Sequence, residues 1–257
     1  MINQLRAEMY RQFHTKGNYL LTIFVICYSA LTTFYKSVGG VVMTGGIQHA
    51  LEEIDTTNWS VLTGVKFLTM GSSLLIYVFI SIFVMVIGTE FSQNTYKNTL
   101  ISGISRLQFI VVKYLTMLIN ILLQVFVFYL TGIITGLLCG RKLGSSWGYL
   151  LSTTFTTTFV TTFFISVIFG MAIVLLILTS LSIVSAVFIV LFPVLVNLVT
   201  TVTKWDWLKY LDFFGVSNKI ALKLITLNQF LPYILTSCLI LLICFIISLL
   251  LFQRKEL

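Results

Sequence analysis

Long apolar runs broken by short polar stretches set the pattern of this chain. Six runs stand out, at residues 18–35, 61–88, 109–139, 149–178, 183–201 and 231–252. A bilayer hydrocarbon core about 30 Å thick takes roughly 20 residues of helix to cross. Each run is near or above that length and is continuously apolar, whereas barrel strands are shorter and alternate apolar with polar. The pattern therefore predicts an all-α integral membrane protein with six transmembrane helices, a single transmembrane domain over residues 1–257. The third run is long enough to tilt or to project into water.

The polar breaks differ in character. Residues 1–17 carry Ile2, Leu5, Met9 and Phe13 at helical spacing, with Arg6, Glu8, Arg11 and Gln12 on other faces. This predicts an amphipathic helix lying in the membrane interface and leading into the first span. Residues 37–60 are Gly-rich and then acidic, and read as a loop. Residues 204–230 hold Trp205 and Trp207, a polar break, and a helical face of Ile220, Leu224 and Leu227 behind a Ser217 N-cap. They predict short re-entrant or interfacial helices anchored by tryptophans at headgroup level. Residues 90–106 form a polar, turn-rich island between the second and third spans. A plain connection between packed helices takes about two to eight residues; this one is longer.

Composition agrees with a membrane location. Hydrophobic residues make up 58% of the chain and charged residues 9%, against about 25% charged in a soluble domain. The mean hydropathy is +1.03. The net charge of +8 lies at the ends of apolar runs, which points to anionic lipid headgroups and not to nucleic acid. The positive-inside rule gives no orientation, because the 16 Lys and Arg residues divide evenly between the two sides of a six-span layout. Cys27, Cys139, Cys238 and Cys244 form no C-x-x-C pair and read as small apolar packing residues. The N-terminus lacks the apolar core of a cleavable signal peptide.

Candidate chemistry is sparse. His14 and His49 have no metal-spacing partner, and neither H-E-x-x-H nor G-x-S-x-G occurs, so no catalytic residue and no metal site is assigned. The pair Glu52 and Glu53 reads as a solvated acidic loop. No P-loop pattern exists, so ATP would have to be bound by another subunit. No Asp or Glu falls in the middle of a span, which argues against an ion-coupled carrier. Lys66 and Lys113 sit near span ends and are expected to snorkel to headgroups. In the third span Lys113, Asn120, Gln124, Thr131 and Thr135 recur along one helical stripe. That stripe suits a lining or a subunit interface, or interhelical hydrogen bonds within the bundle. The many hydroxyls at the start of the fourth span suit helix packing. Pro193 should kink the fifth span, with Asn197 one turn on and able to satisfy a freed carbonyl. No internal repeat marks an inverted-repeat carrier.

The island carries a resemblance. Glu90 is followed by Asn94 and Thr95, by Leu100 and Ile101, by the run Ser102, Gly103, Ile104, Ser105, Arg106, and then by Lys113. This resembles type 2 ABC exporter permeases, which commonly show Glu, Gly-Thr, a Leu-Leu run, Ser-Pro-x-Ser-Arg and a Lys in that order between spans two and three. Asn94 stands where Gly is usual and Gly103 where Pro is usual; both suit a turn. With the six-span layout and the flanking short helices, the resemblance covers nearly the whole chain. It implies a cytosolic coupling helix at residues 90–106, with Glu90, Thr95, Lys97 and Arg106 coupling to a separate cytosolic ATP-binding subunit that holds ATP and Mg. It further implies cytoplasmic termini, an extracellular side for residues 204–230, and a second permease copy as partner. Asn120, Gln124 and Asn197 become candidates for the substrate path or interface. The size and aromatic richness are similar to bacterial exporters of antimicrobial or cytolytic peptides, such as the bacitracin, lantibiotic-immunity and phenol-soluble-modulin exporters. That implies amphipathic peptide export across the bacterial cytoplasmic membrane. An ion-coupled carrier or channel, a membrane-embedded enzyme and a non-transporting scaffold are the rival readings.

Overall fold

The computed structural model describes residues 1–37, 59–203 and 227–254, with isolated positions between 205 and 219. The expected loop at 37–60 lies almost wholly outside the described residues, as do His49 and most of the short helices expected at 204–230, Ser217 included. Most helices among the described residues follow the apolar runs, and two shorter ones form in the polar stretches 1–17 and 90–106. The N-terminal helix α1 (Ile2–Phe13) leads into α2 (Lys16–Phe34). A continuous helical path then comprises α3 (Val61–Gly71), a 3-10 turn (Ser72–Leu74), α4 (Leu75–Phe83), a π-helical turn (Val84–Gly88) and α5 (Thr89–Ser92). The short α6 (Tyr96–Ile101) precedes α7 (Arg106–Leu138), α8 (Trp147–Thr179), α9 (Ser182–Thr203) and α10 (Leu227–Arg254). No strand occurs among the described residues.

Six helical stretches are long and apolar enough to cross a membrane: Lys16–Phe34, Ser73–Ser92, Arg106–Leu138, Trp147–Thr179, Ser182–Thr200 and Phe230–Gln253. The helices α7 and α8 have 33 residues each, which is about 50 Å at 1.5 Å per residue. They exceed the hydrocarbon core and extend past it at one or both ends. Ser105 and Ser146 start these two helices by accepting the amides of Gln108 at 3.2 Å and Tyr149 at 3.4 Å. Ser180, with φ of 60°, ends α8 in a left-handed cap, at the turn expected between the fourth and fifth spans. The helix α9 runs on unbroken through Pro193.

The core lies around α7 and α8. In their most apolar stretches, 72% of residues are buried in α8 but only 17% in α9 and α10, so the last two helices form the periphery. Their exposed faces are apolar stripes, Ile183, Val187, Leu191, Leu195 and Leu198 on α9 and Leu231, Leu235, Leu239, Leu242 and Ile246 on α10. Acyl chains are the natural neighbour of such faces, since lipid is as apolar as leucine. Close approach in the core comes from small residues. A Cβ at Gly132 would overlap Leu68 Cδ1, and one at Gly170 would stand 2.8 Å from Leu241 Cδ2. The cysteines depart from the packing role expected of them: Cys27, Cys139 and Cys238 are exposed on the outside of the bundle.

Candidate functional site

The island between the second and third spans folds as two short helices joined by tight turns. Asn94 takes φ of 56° and Gly103 takes φ of 91°. These are left-handed conformations that Asn tolerates and Gly adopts freely. Asn94 and Gly103 are therefore true turning points. Between them α6 lies as a six-residue helix. Glu90 sits in α5, directly after the π turn, and is buried.

The carboxylate of Glu90 belongs to a closed ring of four charges. Its Oε1 accepts Lys113 Nζ at 2.6 Å and Arg11 Nη1 at 2.6 Å. Glu8 closes the ring, with Oε1 2.8 Å from Lys113 Nζ and Oε2 2.7 Å from Arg11 Nη2. Two cations and two anions alternate, so the ring is neutral as a whole. Lys113 is 1% exposed in its side chain and Arg11 46%, so the ring reaches from the bundle interior to its surface. Lys113 Nζ also stands 5.5 Å from the centre of the Phe109 ring, within cation–π range. The sequence expectation that Lys113 snorkels outward is corrected here. Two carboxylates within 2.8 Å hold the ammonium inside, where water and headgroups would have to compete with both.

The N-terminal helix supplies half of this ring, and its orientation explains how. A mixed face turns to the bundle: Gln12 is buried and Gln4, Leu5, Glu8 and Met9 are half-buried, whereas Ile2, Arg6, Tyr10 and Phe13 are exposed. The side chains of Arg11 and Gln12 also donate to the Val86 and Met85 carbonyls, each at 3.4 Å. Both carbonyls lie in the π turn, where wider helical winding leaves backbone acceptors open to outside donors. Thus α1 is held to α5, α7 and the π turn by ion pairs and hydrogen bonds.

A second brace joins the island to the last span. Arg106 Nη1 donates to the Phe252 and Gln253 carbonyls at 2.8 and 2.5 Å. These are end carbonyls of α10, which lack intrahelical partners and carry the negative end of the helix dipole. Beside them Phe91, Tyr96, Phe109 and Phe252 stack together. Ring centres are 4.7 Å apart for Phe91 and Tyr96, and 5.7–5.8 Å from Phe252 to the other three. The start of α1, the island, the start of α7 and the end of α10 therefore meet at one end of the bundle.

The other candidate residues fall into two groups. Thr95 is exposed, and its hydroxyl lies 3.5 Å from the Glu90 carbonyl; Lys97 is half-buried. The face left open on the island is made by Gln93, Asn94, Asn98, Ser102 and Ile101, the last 73% exposed. Asn120 and Gln124 are 1% and 4% exposed. They turn toward α2, where Gln124 Nε2 donates to Thr22 Oγ1 at 2.8 Å. Asn197 is half-buried on α9, away from that pair. Glu8, Arg11 and Phe252 were not singled out by sequence. The available signal was the pairing of opposite charges at i and i+3 on α1, in a chain that has so few charges. Among the described residues no group of three or more His, Cys, Asp or Glu side chains is placed to hold a metal ion.

These helices and their buried ionic ring define an all-α, multi-pass integral membrane protein. Residues 23–257 match the family described as "Protein of unknown function (DUF2705)", and the chain belongs to that family. The match takes in Glu90, Lys113 and Arg106 and begins after α1. No curated protein and no solved structure matches the chain.

Proposed function

We propose that this chain is the membrane subunit of an ATP-driven ABC exporter in the cytoplasmic membrane of a bacterium. In this reading residues 90–106 are the coupling segment on the cytosolic side, and a separate subunit binds and hydrolyses ATP. A second permease copy completes the transporter. The cargo is an amphipathic or antimicrobial peptide, or a similarly hydrophobic compound.

One observation carries the reading: the island of α5 and α6 is tied to three different elements while one of its faces stays open. Through Glu90 the ionic ring links the island to α1 and α7. Arg106 and the aromatic stack link it to the end of α10. A connecting loop needs no such bracing, whereas a platform that receives a push must pass it on to the spans. Within this reading Glu90 and Arg106 act as braces behind the platform, and Gln93, Asn98 and Ile101 meet the partner. An apolar knob framed by amides suits a groove on a soluble protein. Both termini share the cytosolic side, since α1 and the end of α10 touch the island.

The test is transport by the assembled complex in proteoliposomes. Efflux should require ATP and the ATP-binding subunit, and Ile101→Glu should lower both partner binding and efflux. A thiol introduced by Asn98→Cys should react with impermeant maleimide only from the cytosolic side. Labelling from the cell exterior would overturn the assignment. Efflux that persists without the ATPase would favour an ion-coupled carrier or channel, and unchanged efflux on deletion would favour a scaffold.

A further inference from the structure

We propose that a file of bound water runs between α2 and α7, from the ionic ring to Gln124. The argument begins on α7. Lys113, Thr116, Asn120 and Gln124 follow one another at steps of three, four and four, and so share one helical face over about 16 Å. Their exposures are 1%, 0%, 1% and 4%. Only the ends of this row are bonded: Lys113 to the ring and Gln124 Nε2 to Thr22. Between them Thr116 Oγ1 and both ends of the Asn120 amide have no hydrogen-bond partner, and neither does Gln124 Oε1.

The facing helix repeats the pattern. Gln124 meets Thr22, Ser29 donates to the Phe128 carbonyl at 2.6 Å, and Gly132 approaches Ser29 and Thr33. The two helices therefore run parallel, with rising residue numbers side by side. In that register Asn18 lies one turn before Thr22, as Asn120 lies one turn before Gln124. Asn18 is 5% exposed and its Oδ1 is unpartnered. Toward the ring, Gln12 Oε1 and Glu90 Oε2 are buried and unpartnered too.

Unpartnered polar atoms also occur singly elsewhere, as at Thr162, Ser185 and Ser237, but seven gathered along one seam are a demand for a ligand. A buried amide with neither end bonded loses its hydration and gains nothing. An isolated case would be local imperfection; a continuous row with both donors and acceptors is a site. The ligand must supply donors to the carbonyl and carboxylate oxygens and acceptors to the Asn120 Nδ2. Water does both and needs two to four such partners. A cation would meet only the oxygens, and it would be repelled by Lys113 at the ring. The file is independent of the transport reading and holds whether or not the chain exports anything.

The experiment uses the full-length protein in lipid vesicles, with Cys27, Cys139, Cys238 and Cys244 replaced by Ala. Asn120→Cys and Val125→Cys are compared for reaction with silver ion, which follows water and avoids hydrocarbon. Free thiol is then counted after denaturation. Val125 is 0% exposed on the same helix, about 7.5 Å along the axis from Asn120, so it reports dry packing within the same span. Position 120 is expected to react at least tenfold faster; a smaller ratio overturns the proposal. A second variant decides the matter should the thiol proteins fail to fold. Asn120→Leu would displace water and strand its neighbours, so the thermal midpoint should fall. An unchanged or raised midpoint would mean that the seam is dry, and would overturn the file.

Discussion

Breaking the ionic ring at two paired corners should cost no more than breaking it at one. Glu90→Gln leaves Lys113 and Arg11 sharing Glu8 alone, two cations about one anion. Lys113→Met leaves Glu8 and Glu90 about Arg11, the reverse imbalance. Removing one partner of a buried pair costs about 3–5 kcal/mol. Each corner here keeps one remaining partner, and Arg11 is 46% exposed, where a pair contributes at most about 1 kcal/mol. The low end of the range is therefore expected, about 3 kcal/mol for each single variant. The double variant Glu90→Gln with Lys113→Met keeps the Glu8–Arg11 pair at 2.7 Å and restores neutrality. It should lose no more than either single, so the coupling between the two positions is about 3 kcal/mol. At 1.4 kcal/mol per decade that is roughly a hundredfold in the unfolding equilibrium. Reversible unfolding of the purified protein in mixed micelles by a denaturing detergent, followed by tryptophan fluorescence, measures all four corners of the cycle. Costs that simply add, giving about 6 kcal/mol for the double variant, would show that the two charges act independently and that no ring exists.

Three further outcomes follow from other contacts. Arg106→Ala should free the α10 end, seen as faster amide exchange at residues 250–253 with the rest of α10 unchanged; uniform exchange across the helix would refute the brace. Gly132→Val places a side chain against Leu68, Ser29 and Thr33, and should destabilise the protein by about 1–3 kcal/mol through overpacking, checked by the same detergent titration. Burial raises the Asp212 carboxyl above its ordinary value, against the opposing pull of the Gly215 amide and Lys219. A raised carboxyl gives stability that is full below the unfolded value, about pH 4, and is lost as pH rises through the folded one. The wild-type thermal midpoint should therefore drop between pH 4 and pH 7 by more than that of Asp212→Asn, which keeps the cap on Gly215; equal drops would refute the shift.

The spans were legible because lipid imposes one rule on every residue of a crossing helix, and a run of apolar side chains has few other meanings. The turns of the island were legible for a similar local reason: Asn94 and Gly103 are residue types that adopt left-handed backbone. Lys113 was not legible. Its place near a span end fits snorkelling as well as pairing, and the choice depends on whether carboxylates from α1 and α5 arrive on the same face. Periodicity fixed the amphipathic character of α1 but left open which side the bundle would take. Elsewhere burial of apolar residues settles that question; here the bundle also offers charges and π-turn carbonyls, so Glu8 and Gln12 turn inward together with Leu5 and Met9. The aromatic stack was hidden as well, because Phe252 is separated from Phe91 by most of the chain.

In a chain with 9% charged residues, four of them in one neutral ring is a large share, and the ring's position limits what can move. Its members come from α1, α5 and α7, and the adjoining Arg106 and aromatic stack add the end of α10. A displacement of α6 therefore cannot be absorbed locally. Either the ring and the stack move as one body with the ends of three other helices, or ionic pairs open inside a low-dielectric seam. Opening costs several kcal/mol for each charge left unpaired, whereas α10 presents an apolar outer face and can tilt with Arg106 still held to its end carbonyls. The path of least resistance runs from the island through Phe252 and Arg106 into α10, with α1 carried along the interface by Glu8 and Arg11.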